Sequence, residues 1–265
     1  MSFKYKLGFI GCGNMAKAII GGVIGSNRIA SSEIIASRKS GLGVPELQGV
    51  TITDDNSVVA SNSEILFLAI KPQVFNEIGA EILSHSNAKY VISMMAGIAS
   101  STIESMIHNG ATVIRIMPNT PCKIGYGVTA MQNVKINACD KEYIMDILRN
   151  MGEVVLVDED DFDAVVAVSG SGPAYAFMFL RALIDGGIAH GLDKDTSKKL
   201  AIGMLIGASK LAETENNIDE MIDAVCSKGG TTIEAVNYYK EKGLEDIVKR
   251  GMDKCYNRSK ELSGK

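Results

Sequence analysis

Short apolar runs alternate with stretches of helical period through the first part of the chain, and beyond Phe162 only the helical period remains. EILFLA at Glu64–Ala69 is nearly all apolar, the pattern of a parallel strand covered by helices on both faces. Similar runs predict strands at Leu7–Ile10, Glu33–Ala36, Val50–Thr53, Lys89–Ser93, Ala111–Met117, Gly127–Met131 and Glu153–Val157. Asn14–Ile24, Pro72–Leu83, Ser100–Ile107 and Ala138–Asn150 read as the intervening helices. Such alternation predicts a doubly wound parallel sheet with right-handed crossovers. Further on, Pro173–Ala189, Lys194–Thr214, Ile218–Val225, Thr232–Lys240 and Leu244–Lys260 all read as helices. The expected fold class is therefore α/β, with an N-terminal domain over residues 1–160 and an all-α C-terminal domain over residues 161–265. The acidic stretch DEDDFD, Asp158–Asp163, marks the junction, and its charges suit a helix N-terminus.

The most informative local stretch is LGFIGCGNMAKAII at Leu7–Ile20, an apolar run that enters a helix through Gly11, Cys12 and Gly13. Gly11 permits a tight turn, Gly13 lets a pyrophosphate approach the backbone, and Ala16 lets the helix lie close to the first strand. The free N–H groups of that helix start would face the phosphates. An NAD site commonly places an acidic residue at the end of the second strand, whereas Ser37, Arg38 and Lys39 offer a hydroxyl and two cations. Those groups suit a 2'-phosphate, so NADPH is expected, with NADH as the alternative. Lys71 and Pro72 follow the fourth predicted strand, at the carboxyl edge where open sheets bind ligands, and Gly97 allows another close backbone approach.

Composition narrows the classes. The chain has 265 residues, 46% of them hydrophobic and 22% charged, as in a globular protein with a sizeable core. A formal net charge of −4 argues against a general affinity for nucleic acid. No apolar segment free of charges reaches the roughly 18 residues of a membrane span, and the N-terminus lacks a signal-peptide core, so a cytoplasmic protein without a membrane partner is expected. The five cysteines are widely spaced and the three histidines dispersed, which predicts neither a disulfide framework nor a metal site.

YAFMFLRALIDGGIA and LAIGMLIGASKLA carry more apolar surface than a helix packed on one side can bury, which predicts a helical core shared with another subunit. Two glycine-rich turns precede helices in this half, VSGSGPAY at Val168–Tyr175 and CSKGGTTIEA at Cys226–Ala235. Their free N–H groups, with Ser171, Ser227, Thr231 and Thr232, are candidate contacts to a small carboxylate or polar ring. No arrangement for nucleophilic catalysis and no compelling carboxylate pair is evident. Hydride transfer to an electrophilic bond asks chiefly for orientation, a cofactor and a proton source, and so fits that absence.

FIGCGNMA at Phe9–Ala16, FLAIKPQ at Phe67–Gln73, SMMAGI at Ser93–Ile98, RIMPNTP at Arg115–Pro121, SGSGPAY at Ser169–Tyr175 and SKGGTTIEA at Ser227–Ala235 together resemble the pyrroline-5-carboxylate reductase family over essentially the whole chain. The resemblance implies a Rossmann domain followed by a helical domain that interlocks with its partner's, giving a dimer commonly assembled into a decamer. It implies reduction of 1-pyrroline-5-carboxylate to L-proline, the last step of proline synthesis. By the same resemblance Gly11, Cys12, Gly13, Asn14, Met15 and Ala16 would hold the cofactor pyrophosphate, with Ser37 and Arg38 at the adenosine ribose or its phosphate. Asn56 would lie on the adenosine side, while Ala69, Ile70, Lys71, Pro72, Ala96 and Gly97 would line the nicotinamide end, and Asn119 joins the cofactor set. Ser227, Gly229, Gly230, Thr231 and Thr232 would bind substrate in a turn contributed by the partner subunit, with Thr232 approaching the ring nitrogen. The family's local form is SPGGAT or SPGGTT, and Lys228 replaces its proline, which loosens the loop and adds a charge.

Reduction of another cyclic imine and a hydroxy-acid dehydrogenase are the alternatives within the same chemistry. The latter uses a lysine on the long interdomain helix, and SGSGPAYAFMFLRALIDGG has none. A non-catalytic NADP sensor is the alternative of a different class.

Overall fold

The computed structural model describes residues 3–39, 43–215 and 217–263. Eight strands form one sheet: β1 (Tyr5–Ile10), β2 (Ile34–Ser37), β3 (Thr51–Thr53), β4 (Ser63–Leu68), β5 (Tyr90–Ser93), β6 (Thr112–Pro118), β7 (Gly127–Gln132) and β8 (Gly152–Val157), in the order β3-β2-β1-β4-β5-β6-β7-β8. The first six are parallel, in register Leu7↔Ile34 and Leu7↔Ile65 about the central β1. Chain direction departs from the all-parallel expectation at β7, which pairs antiparallel with β6 and parallel with β8. Only a loop with a short 3-10 turn, Thr120–Ile124, joins β6 to β7, too little chain for a parallel crossover.

Helices α1 (Asn14–Gly25), α2 (Asn56–Asn62), α3 (Pro72–Ser84), α4 (Ser100–Glu104) and α5 (Ala138–Arg149) lie between the strands. One cluster of buried side chains gathers Leu7, Phe9, Ile34, Ile65 and Phe67 with Ile19 and Ile20 of α1 and Ile144 and Leu148 of α5. A second gathers Ile10, Ile35, Leu66, Leu68 and Val91 with Val59 of α2 and Phe75 and Ile82 of α3. Period-two alternation of side chains on β1 and β4 thus feeds both cores, as a sheet covered on both faces requires. Phe9 and Phe67 stack across β1 and β4 with ring centroids 4.6 Å apart.

The backbone forms two compact units, one comprising the chain up to Ser171 together with the residues from Cys255 on, the other comprising Gly172–Lys254. The first unit therefore runs past the expected boundary at 160 and takes back the end of the chain. It contains α6 (Phe162–Val165) and the π-helical turn Val166–Gly170. The second contains α7 (Gly172–Ala189), α8 (Lys194–Ala212), α9 (Ile218–Val225) and α10 (Thr231–Glu241). The last helix, α11 (Leu244–Leu262), begins in the second unit and ends in the first.

The helical stretch Glu159–Ala189 is, among the described residues, long and apolar enough by length and composition alone to cross a membrane, where the sequence pattern predicts no such segment. Phe177, Met178 and Phe179 on it, and Leu200, Met204 and Ile206 on α8, are exposed in the single chain.

Candidate active site

The strand order reverses between β1 and β4, so the carboxyl ends of these two strands form the switch point where open sheets take ligands. There Gly11 adopts φ +91, and a Cβ on it would stand 2.7 Å from the Ala69 carbonyl oxygen and 2.9 Å from Cγ2 of Ile70. Only glycine fits that turn. Ala69 N–H in turn donates to the Ile10 carbonyl at 2.8 Å, which locks the ends of β1 and β4 side by side. Gly11, Ala69 and Ile70 thus meet at the switch point.

Gly13 precedes α1, and nothing lies within 4 Å of where its Cβ would stand. Among the described residues no side chain caps that helix, so its first N–H groups are available to a ligand. Gly13 and Asn14 are exposed and Met15 half-buried, while Ala16 is buried against the sheet. These features fit a dinucleotide phosphate bound at the N-terminus of α1. Cys12 turns its side chain into the core, where burial pushes the thiol up against the opposing pull of Lys17 and Arg38. Only its backbone is left for a ligand.

Ser37 departs from expectation. Its side chain is 2% exposed, its Oγ accepts the Gly11 N–H at 3.0 Å, and its hydroxyl donates to the Phe9 carbonyl at 3.4 Å. The hydroxyl braces the glycine turn and does not face outward to a ribose or phosphate. Arg38, half-buried, donates its backbone N–H to the Thr53 carbonyl at 2.8 Å and its guanidinium to the Gly43 carbonyl at 3.4 Å. Asn56 opens α2, whose cap is Asp55: the carboxylate accepts from Ser57 and Val58 N–H at 2.8 and 3.3 Å. The Ser57 hydroxyl and these N–H groups hold that carboxyl below its ordinary range. Asn56 shares a cleft of about 580 Å³ with Lys39, Asp54, Asp55 and His85.

Lys71 is exposed in the capping position of α3 and Pro72 begins that helix, as the sequence order predicts. The Asn119 side chain is committed to the fold: Oδ1 accepts Val128 N–H at 3.0 Å and Nδ2 donates to Ser169 Oγ at 3.3 Å. It ties the end of β6 to β7 and to the π-helical turn. Ser171, at the end of that turn, places Oγ 3.2 Å from Sγ of Cys255.

Beside these strand ends lies a polar network that sequence reasoning missed. Arg115 on β6, 6% exposed, pairs with Glu159 at 3.1 Å and stacks its guanidinium 4.5 Å from the Phe162 ring centroid. Glu159 also accepts from Ser100 N–H and Oγ at 2.7 and 2.6 Å and from Gln132 Nε2 at 3.1 Å. Burial opposes its ionisation, but the bonds from Ser100 and Arg115 outweigh it and keep the carboxyl below the usual range. The only advance signal was an arginine inside a strand otherwise apolar, together with the acidic junction.

In the second unit Gly230 precedes α10 and donates its N–H to the Ser227 carbonyl at 3.0 Å. Thr231 opens the helix, which no side chain caps among the described residues, and Gly229 and Thr231 are exposed beside its first turn. Thr232 lines an apolar cleft of about 780 Å³ together with Cys226, Met221, Val225 and Val236. Lys228 is exposed.

Residues 159–262 match a family model described as pyrroline-5-carboxylate reductase dimerisation, and residues 6–97 match one described as NADP oxidoreductase coenzyme F420-dependent. The chain is 36% identical over 264 residues to the pyrroline-5-carboxylate reductase of Escherichia coli strain K12, covering 97% of this chain and 98% of that protein. The chain belongs to the pyrroline-5-carboxylate reductase family. Against the Synechocystis member identity is 38% over 265 residues, with 98% of this chain and 99% of that protein covered. A crystal structure of the Plasmodium falciparum enzyme with NADP bound superposes with a TM-score of 0.89 at 26% identity, covering 99% of this chain and all of that one at 100%. Membership makes the chain an oxidoreductase with an NADP-binding sheet domain and a helical dimerisation domain. The exposed apolar faces of α7 and α8 fall inside the dimerisation match, where a second copy would be expected to cover them.

Proposed function

We propose that this chain reduces 1-pyrroline-5-carboxylate to L-proline, with NADPH preferred over NADH, as the last step of proline synthesis in the cytoplasm. The observation that carries the reading is identity of 36% over 97% of this chain and 98% of a named pyrroline-5-carboxylate reductase.

A nicotinamide cofactor, when bound, supplies a hydride for the C=N carbon of the pyrroline ring. Gly11, Cys12, Gly13, Asn14, Met15 and Ala16 would hold its pyrophosphate through the open backbone of the first turn. Arg38 would read the 2'-phosphate, Asn56 the adenosine side, and Ala69–Pro72, Ala96, Gly97 and Asn119 would flank the nicotinamide end. Ser227, Gly229 and Thr231 would present backbone N–H groups and hydroxyls to the substrate carboxylate, in a turn that Gly230 closes onto the Ser227 carbonyl. Thr232 would hydrogen-bond the imine nitrogen. Threonine is a poor free acid, so its part is to position and relay: the proton arrives with the iminium or through water and this hydroxyl. We also propose the division near residues 160–161 as the functional domain boundary, and assembly of dimers into a decamer.

The test is NADPH oxidation by the purified protein on addition of 1-pyrroline-5-carboxylate, with other cyclic imines as controls. Turnover confined to a different imine would replace the substrate assignment.

A further inference from the structure

The acidic junction Asp158–Asp163 has no part in the reading above, yet two of its carboxylates bear on one turn, Glu159 through Ser100 and Asp163 through the end of α11. That turn leaves β5 and carries Ala96 and Gly97 into α4. At its far end, Glu159 accepts both the amide and the hydroxyl of Ser100, at 2.7 and 2.6 Å, across 59 positions of sequence. Across its middle, Gly97 at φ +76 lies against the end of α11: a Cβ there would stand 3.0 Å from the Leu262 carbonyl oxygen and 3.2 Å from Cβ of Leu262. That helix end is held in turn by Asp163, whose Oδ1 accepts the Ser259 hydroxyl at 2.6 Å; the Ser263 hydroxyl, which donates to the Ser259 carbonyl at 2.8 Å, lies 3.4 Å from the same oxygen. Asp163 and Ser259 are both buried.

Met95 is buried in the core beside the turn, and Ile98 and Ala96 pack against neighbouring apolar clusters, but Gly97 itself has no such anchor. Glycine brings no side chain to anchor the backbone and admits a wide range of conformations, so the flanking contacts decide where the turn sits. Carboxylates suit the task, because each oxygen accepts from more than one donor and charge strengthens each bond. Glu159 is itself fixed by Arg115 and Gln132, and Arg115 by Phe162.

We infer that Glu159 and Asp163 form a clamp that sets the position of the Ala96–Gly97 turn, and are thereby positioning residues for hydride transfer. The inference rests on the assignment of that turn to the nicotinamide end of the site. It gives the acidic junction a purpose beyond solvation, and it gives the return of α11 to the first unit one as well.

The decisive variants are Asp163→Ala, Ser100→Ala and the conservative Asp163→Asn, which keeps an acceptor oxygen for Ser259. Hydrogen exchange of a peptide spanning the turn, measured without substrate or cofactor, is expected to quicken about tenfold or more in the two alanine variants and to stay near wild type in Asp163→Asn. Steady-state kcat with 1-pyrroline-5-carboxylate is expected to fall about ten- to a hundredfold in the alanine variants while the Kd for NADPH moves less than about threefold, with Asp163→Asn recovering most of the loss. Unchanged exchange in both alanine variants overturns the clamp. Faster exchange with unchanged kcat, or a kcat loss matched by an equal loss of NADPH binding, overturns the positioning role. A wild-type protein inactive toward this substrate would defeat the functional reading alone, since the exchange measurement decides on the clamp without it.

Discussion

The Ser37 hydroxyl accepts the Gly11 amide hydrogen at 3.0 Å, so the end of β2 supports the turn that ends β1. Ser37→Ala would leave that amide unpaired in a part-buried position, at a cost of about 1–3 kcal/mol. KM for NADPH and for NADH should rise by similar factors, because the damage falls on the pyrophosphate turn that both share. Arg38→Ala should instead raise KM for NADPH about tenfold or more and leave that for NADH nearly unchanged. A selective NADPH defect in Ser37→Ala would return Ser37 to the phosphate site.

Thr232→Ala should lower kcat much more than it weakens NADPH binding. Comparing the steady-state rate with cofactor affinity measured by the fluorescence of bound NADPH checks this. Equal losses in the two would count against a hydroxyl directed at the imine nitrogen.

Much of the fold was legible because buried parallel strands announce themselves, as EILFLA does in β4. The direction of Ser37 was not, since all four residues of β2 are buried and no alternation marks which face its hydroxyl takes. Helix α2 escaped notice because NSVVASN is only 7 residues long and polar at both ends, although Asp55 before it is a good cap. The reversal at β7 follows from a short connection, and a strand's own residues do not encode its direction. Asp163 meeting Ser263 spans 100 positions, a contact no local pattern reveals. Gly11 was readable as a turn residue because the end of an apolar run followed directly by a helix demands a positive φ there.

Asp140 supplies a pH test. Hydrogen bonds from Lys89, then Tyr90 and Asn137, hold its carboxyl at about 2 against an ordinary value of 3.8. A depressed carboxyl stabilises the folded state above its unfolded pKa, and that contribution fades as pH falls through the folded one. Asp140→Asn should therefore lower the melting temperature at neutral pH, with the difference from wild type shrinking between about pH 4 and pH 2. A difference constant across that range would show that the carboxylate charge contributes nothing.

Cys12 is buried with its thiol shifted up, chiefly by burial, while Cys139 at the start of α5 is exposed. A neutral alkylating reagent should modify Cys139 readily in the folded protein and reach Cys12 only as fast as the protein opens. Peptide mass mapping over time reads both sites, and equal rates would contradict the inward placement of Cys12.

The central claim is tested most directly by a product balance in a reaction containing only the purified protein, NADPH and 1-pyrroline-5-carboxylate. One proline should form for each NADPH consumed, and no NADPH should be consumed when the pyrroline is left out. Tight NADPH binding with no proline formed would contradict it.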